Sequence, residues 1–193
     1  MSKKIFYDED ARARVLNGAK ALYDAVKVTY GPKGRNVVIA KGYGGPTVTH
    51  DGVTVAESVE LPEADDETLG FKVGAELIKQ AASKLNKAAG DGTTTVTVLT
   101  YSILREANRL IAAGHNPMEL RKQVEAAGEK VLASLESLAK PVAGKQVAEV
   151  ASISAGDEAI GTLIAEVIEK VGKDGVVTVE EGKGLKMESE VVE

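Results

Sequence analysis

Gly90-Asp91-Gly92-Thr93-Thr94-Thr95 lies at the junction of two strongly helical segments, and its reading decides how the chain on either side is arranged. One carboxylate stands between two glycines, followed by three consecutive hydroxyls at the first turn of a helix. A helix start carries backbone N–H groups without intrahelical partners and the positive end of the helix dipole. Those groups suit an anion, and phosphate is the usual one. The glycines let backbone approach a ligand closely. Bare phosphate would repel Asp91, which points to a cation between them, with Mg²⁺ the best fit. The plainer reading is an ordinary cap, because Asp and Thr are favoured at helix starts with no ligand at all. The hexapeptide alone leaves both open.

Outward from this junction, the preceding helix is expected from about Glu67 to Ala89, with Leu69, Val73, Leu77, Ile78, Ala81 and Leu85 facing inward. The acidic run Glu63 to Glu67 before it reads as a solvated loop. The following helix is expected from Thr93 to Ala113, with Val96, Leu99, Ile103, Leu110 and Ile111 inward and Gly114 as its stop. Asn116-Pro117-Met118-Glu119 opens another helix, with Asn as cap, Pro at the first helical position and Glu at the third. Leu120, Val124, Ala127, Val131, Leu135 and Leu138 give that helix an apolar face as far as Lys140-Pro141.

Nearer the start, Asp8, Glu9 and Asp10 open a helix whose apolar positions are Val15, Leu16, Ala19, Leu22, Tyr23 and Val26; Gly31-Pro32 stops it. Val37-Val38-Ile39 and Thr47-Val48-Thr49, joined through Gly44-Gly45-Pro46, predict a β-hairpin. Asp51-Gly52 reads as a turn. Pro141 is the candidate domain boundary. Past it, one amphipathic helix from Asp157 to Val171 is expected, then a strand at Val176 to Val179 and another from Leu185 to Val192. The chain stops inside that last apparent strand, which points to a segment of something longer.

Composition limits the functional classes. Of 193 residues, 44% are hydrophobic and 27% charged, which fits a folded domain rather than disorder. Aromatics are only 4%, so Ala, Val, Leu and Ile must fill the core of closely packed helices. With 29 acidic and 24 basic residues and a net charge of −5, there is no basic stripe for nucleic acid. No cysteine is present, which removes disulfides and thiolate metal sites and fits a reducing compartment. No secretory signal opens the chain and no apolar run is long enough to span a membrane, so the cytoplasm is the default expectation.

Five segments line up in one order. They are Thr29-Tyr30-Gly31-Pro32-Lys33-Gly34-Arg35-Asn36-Val37, Asp51-Gly52-Val53-Thr54-Val55-Ala56, Ala88 to Thr95, Ala112-Ala113-Gly114-His115-Asn116-Pro117 and Val171-Gly172-Lys173-Asp174-Gly175-Val176. In this order they closely resemble the bacterial 60-kDa chaperonins (the GroEL or Hsp60 family, group I), over essentially the whole chain. The resemblance implies a mainly α fold: a multihelical part of the equatorial, ATP-binding domain with a β-hairpin over residues 1–139, then a small α+β part of the intermediate hinge domain over 140–193. It implies a segment of an ATP-hydrolysing subunit that assists protein folding in stacked double rings of identical subunits. The apical domain, through which the family binds unfolded clients and the co-chaperonin, and the C-terminal equatorial half lie outside this chain. So does the family's water-activating aspartate.

The same resemblance implies roles for particular positions. Thr29, Tyr30, Gly31 and Pro32 match the loop that holds phosphate and sugar of ATP or ADP. Asp91 matches the Mg²⁺ ligand, and Gly92, Thr93, Thr94 and Thr95 the phosphate-binding helix start. Asp51 matches a carboxylate that helps place the attacking water near the γ-phosphate; the plainer reading is the Asp of an Asp-Gly turn. His50 departs from the family's usual Lys. A shorter, mostly neutral side chain loses the charge contact, and a backbone carbonyl contact to K⁺ is what remains. The stretch Glu60 to Gly74 is several residues longer than usual and reads as a surface-loop insertion. Ile153 matches an apolar residue that packs on the nucleotide; ordinary core packing explains it equally well. His115 falls in a loop and has no chemistry assigned.

No Gly-x-x-x-x-Gly-Lys-Ser/Thr occurs, which argues against a P-loop enzyme. Two rival functions remain: a stand-alone nucleotide hydrolase using Asp51 and Asp91, and a structural, oligomer-forming segment whose Asp and Thr residues only cap helices.

Overall fold

The computed structural model describes residues 4–63, 65–172, 175–180, 187 and 189–190. The chain divides into two compact units, Met1–Glu129 and Lys130–Glu193.

In the first unit, helix α1 spans Asp8–Val26 and runs into a 3₁₀ turn at Lys27–Thr29. Asp8, Glu9 and Asp10 place negative charge at its N-terminal end, where the helix dipole favours it. Strands β1 (Val37–Ile39) and β2 (Thr47–Thr49) form the expected antiparallel hairpin, with Val37 opposite Thr49, Val38 opposite Val48 and Ile39 opposite Thr47. Helices α2 (Gly52–Ser58), α3 (Phe71–Ala89) and α4 (Thr93–Ala112) follow, and α5 (Pro117–Leu138) begins in the first unit and ends in the second. The Asp51-Gly52 turn is in fact the start of α2. Asp51 caps that helix by accepting a bond from the Thr54 N–H, and a local cap of this kind serves a helix as readily as a turn.

The core joins Ala19, Leu22 and Val26 of α1, Val55 and Ala56 of α2, Ala75 and Ile78 of α3, and Tyr101 of α4. Two glycines bring α1 and α3 together. A Cβ on Gly74 would lie 1.9 Å from the Val15 carbonyl oxygen, and one on Gly18 would lie 1.7 Å from that of Phe71. Arg14 ties the 65–70 turns to α1, donating from Nη1 to the carbonyl oxygens of Asp66 (2.6 Å) and Leu69 (2.9 Å).

Three inward faces differ from expectation. On α3 the buried residues are Gly74, Ala75, Ile78 and Ala82, while Val73 and Leu77 (51% exposed) face solvent. Small side chains win the interface because α1 approaches too closely for large ones. On α4 the buried row is Thr93, Thr97 and Tyr101, and Leu99 and Ile103 are exposed. A fully buried Thr97 is tolerated because its hydroxyl donates to the Thr93 carbonyl at 2.9 Å. None of the residues of α5 is buried, so its apolar stripe has no partner among the described residues. Its start is as expected: Asn116 Oδ1 accepts from the Met118 N–H at 2.9 Å.

The second unit contains α6 (Lys145–Ala155), which the sequence reading missed, and α7 (Glu158–Val171), which it expected. These two pack on each other; a Cβ on Gly161 would lie 2.4 Å from the Ser152 backbone nitrogen. Asp157 caps α7 through bonds from Ala159 N–H (2.8 Å) and Ile160 N–H (3.0 Å). Residues 175–180 form no strand, contrary to the reading of Val176 to Val179: a β-branched run makes a strand only where another backbone edge pairs with it. Most of Leu185 to Val192 lies outside the described residues.

Candidate functional site

The α3–α4 junction needs both of its glycines. Gly90 ends α3 at φ +70° and Gly92 precedes α4 at φ +81°, a region that residues with a Cβ rarely adopt. Between them Asp91 is exposed, and its Oδ1 accepts from the Gly92 N–H at 2.6 Å. The first helical bond of α4 runs from the Val96 N–H to the Gly92 carbonyl at 2.9 Å, and no side chain caps the helix. The N–H groups of Thr93, Thr94 and Thr95 therefore form the open first turn of a 20-residue helix. Thr93 is buried, whereas Thr94 and Thr95 are half-buried.

Two further segments reach this turn. After α1, the Thr29 hydroxyl donates to the Val26 carbonyl at 2.9 Å and lies 3.4 Å from the Thr94 hydroxyl. The loop that follows is drawn tight by bonds from Gly34 N–H to Gly31 O and Arg35 N–H to Val28 O, both 2.8 Å. Within it Gly31 takes φ +72°, and Tyr30, Gly31 and Pro32 are exposed. From the other side comes the start of α2. A Cβ on Gly52 would lie 2.1 Å from Thr94 Oγ1 and 3.0 Å from the Thr94 nitrogen. Three elements distant in sequence thus meet at Thr94, and they carry Thr29, Asp51 and the α4 helix start to one place.

Asp51 is held firmly. Its Oδ2 accepts from the Thr54 N–H (2.8 Å) and the Thr54 hydroxyl (2.6 Å), and its own N–H donates to Thr49 Oγ1 at 3.1 Å. Partial burial pushes the carboxyl pKa up, but the Thr54 bonds, the N–H of Val53 and the neighbouring His50 together hold it below the ordinary value. Asp51 is therefore ionised at neutral pH. His50 itself is exposed.

Among the described residues no group of three or more His, Asp or Glu side chains converges to hold a metal. A cation at Asp91 would take one carboxylate from the protein and the rest of its oxygens from phosphate and water, a normal Mg²⁺ shell. Ile153 lies on α6 and is 83% exposed, so core packing is not its role. His115 lies in the exposed α4–α5 connection. Sequence reasoning missed Gly52 and Thr54 as partners of the site. The signal was available: Asp followed by a hydroxyl residue three positions later is an N-cap pattern.

Residues 22–193 match the TCP-1/cpn60 chaperonin family. Among solved structures, the chain is similar to the chaperonin gp146 from the bacteriophage EL 2 (Pseudomonas aeruginosa), crystallised in the presence of ATP-BeFx. Identity is 31% and the TM-score 0.67, over 82% of this chain and 28% of that one. The chain thus spans less than a third of the length of that relative.

Proposed function

This chain belongs to the TCP-1/cpn60 chaperonin family, and from that premise we propose that it is the part of an ATP-driven folding machine's subunit that grips the nucleotide phosphates. The observation that carries the reading is the meeting of Thr29, Gly52 and Thr94 at the uncapped start of α4. That meeting places a loop, an ionised carboxylate and a helix N-terminus on one spot, a combination suited to a triphosphate and a water. The crystallisation of the phage chaperonin with ATP-BeFx supports it.

In this reading the N–H groups of Thr93, Thr94 and Thr95 hold phosphate oxygens, and Thr29 to Pro32 carry the sugar and a further phosphate. Asp91 holds Mg²⁺. Its carboxylate is exposed and its bond to Gly92 N–H uses only Oδ1, so donor chemistry and access both fit. Bound there, the ion would neutralise charge developing in phosphoryl transfer. Asp51, kept ionised and fixed at Oδ2, orients the attacking water. The His50 backbone carbonyl is left as a K⁺ contact, and Ile153 packs on the nucleotide. Ring assembly, client binding and co-chaperonin binding belong to an intact subunit of the family's length.

The test is titration of the 193-residue chain with Mg²⁺-ATP, followed by amide chemical shifts. Weak binding, well above micromolar, is expected, because the chain supplies part of the site. The shifts are expected at Thr29 to Gly31 and Asp91 to Thr95, and Asp91→Ala is expected to remove their Mg²⁺ dependence while the fold persists. Shifts elsewhere, a micromolar Kd, or unchanged Mg²⁺ dependence in the variant would overturn the assignment.

A further inference from the structure

We infer that Gly52 and Thr54, which touch no nucleotide in the reading above, form the joint that fixes the Asp51 carboxylate relative to the first turn of α4. The inference rests on that reading for its purpose, but its geometry stands without a ligand.

Two contacts make the joint. On one side, Thr54 binds Asp51 twice, through N–H and hydroxyl, and both bonds end on the same oxygen, Oδ2. A carboxylate gripped twice at one oxygen has lost its freedom to rotate. The Val53 N–H adds to the hold on the same carboxylate. On the other side, Gly52 touches Thr94 closely enough that an added Cβ would meet both the hydroxyl and the backbone nitrogen of α4's first turn. Thr94 in turn stands against Thr29. The hydroxyl of a side chain can swing aside; the backbone nitrogen moves only if α4 moves. Gly52 therefore sets how near the carboxylate-bearing helix comes to the phosphate-facing one. Thr54 is a positioning residue, since it acts through Asp51, and misplacement of a reacting group by about 1 Å is enough to cost catalysis heavily.

The experiment uses the ligand-free chain first. In Thr54→Val, which keeps the shape and removes the hydroxyl, the Asp51 side chain followed by its Hα–Hβ couplings is expected to average between rotamers, where the parent holds one. Thr54→Ser is expected to restore the single Asp51 rotamer, which a purely space-filling role would not do. Gly52→Ala is expected to shift the amide resonances of Thr93, Thr94 and Thr95 across the contact. Should Gly52→Ala fail to fold, Thr94→Ala, which removes the hydroxyl facing Gly52, is expected to shift the Gly52 amide resonance. A single Asp51 rotamer kept in Thr54→Val, failure of Thr54→Ser to rescue, shifts in Gly52→Ala confined to α2, or an unmoved Gly52 amide in Thr94→Ala would each overturn the joint. Mg²⁺-ATP is then added to the parent chain. Absence of shifts at Asp91 to Thr95 would sink the nucleotide reading and leave the joint judged by the ligand-free data.

Discussion

Asp51 shows how one side chain can cap a helix and still stay charged. As cap of α2 it satisfies a helix-start N–H, and as a carboxylate held below its ordinary pKa it stays charged. A carboxyl whose pKa is lowered in the folded state stabilises that state above its unfolded pKa, about 3.9, and loses the contribution as pH falls through the folded value. Asp51→Asn keeps a good cap and removes the titration. The parent is therefore expected to lose more stability than Asp51→Asn on acidification from about pH 5 to about pH 2. Urea unfolding midpoints across that range measure it; parallel profiles for the two proteins would refute it. Asp91 is the opposite case. It is exposed and bonds its neighbour's N–H alone, so the fold makes little use of its charge. That contrast is the residue-scale reason for assigning it to a ligand.

Among the elements, the α1–α3 pair depends on missing side chains. Gly74→Ala puts a methyl group 1.9 Å from a backbone carbonyl oxygen, and the helices must separate to admit it. Overpacking of this kind costs about 1–3 kcal/mol. The second glycine of interest, Gly128, lies inside α5 with nothing within 4 Å of an added Cβ. Gly128→Ala is expected to leave stability equal or raise it by up to about 1 kcal/mol, through helix propensity alone. Chemical denaturation of the two variants beside the parent distinguishes packing from propensity; equal effects would contradict the close approach of α1 and α3. The same logic explains the shifted faces of α3 and α4. The interior took the small and hydroxyl-bearing rows, so aliphatic rows such as Leu99 and Ile103 were left outside.

For the whole molecule, those exposed rows set the solution behaviour. Val131, Leu132, Leu135 and Leu138 are all more than half exposed on α5. The short hairpin also leaves strand edges with open N–H and C=O groups. Contiguous apolar surface of this kind drives association. The isolated chain is expected to be a monomer that self-associates as concentration rises, without forming a closed ring. Leu135→Glu is expected to suppress the association and to leave the unfolding midpoint nearly unchanged, because Leu135 lies outside the core and is more than half exposed. Light scattering decides both points: a ring-sized mass at micromolar concentration, or association untouched by the substitution, would count against them.

What the sequence determined by itself has a local cause. Asn116 before Pro117, Asp157 before α7 and the glycines around Asp91 act on neighbours within four residues, so helix ends and the glycine-flanked turn before α4 were legible. The hairpin was legible from β-branched runs around Gly44-Gly45-Pro46 for the same reason. Five ordered motifs were enough to show kinship, because order along a chain needs no folding to be read. The tertiary structure alone decided which face of each helix is buried. Periodicity gives the phase of an apolar stripe, but burial depends on what lies opposite, and among the described residues nothing buries the stripe of α5. It alone showed that the β-branched run at Val176 to Val179 has no paired strand among the described residues and that Asp51 begins a helix. Above all, it alone brought Thr29, Gly52 and Thr94 together, because a contact between residues up to 65 positions apart depends on packing that no local pattern encodes.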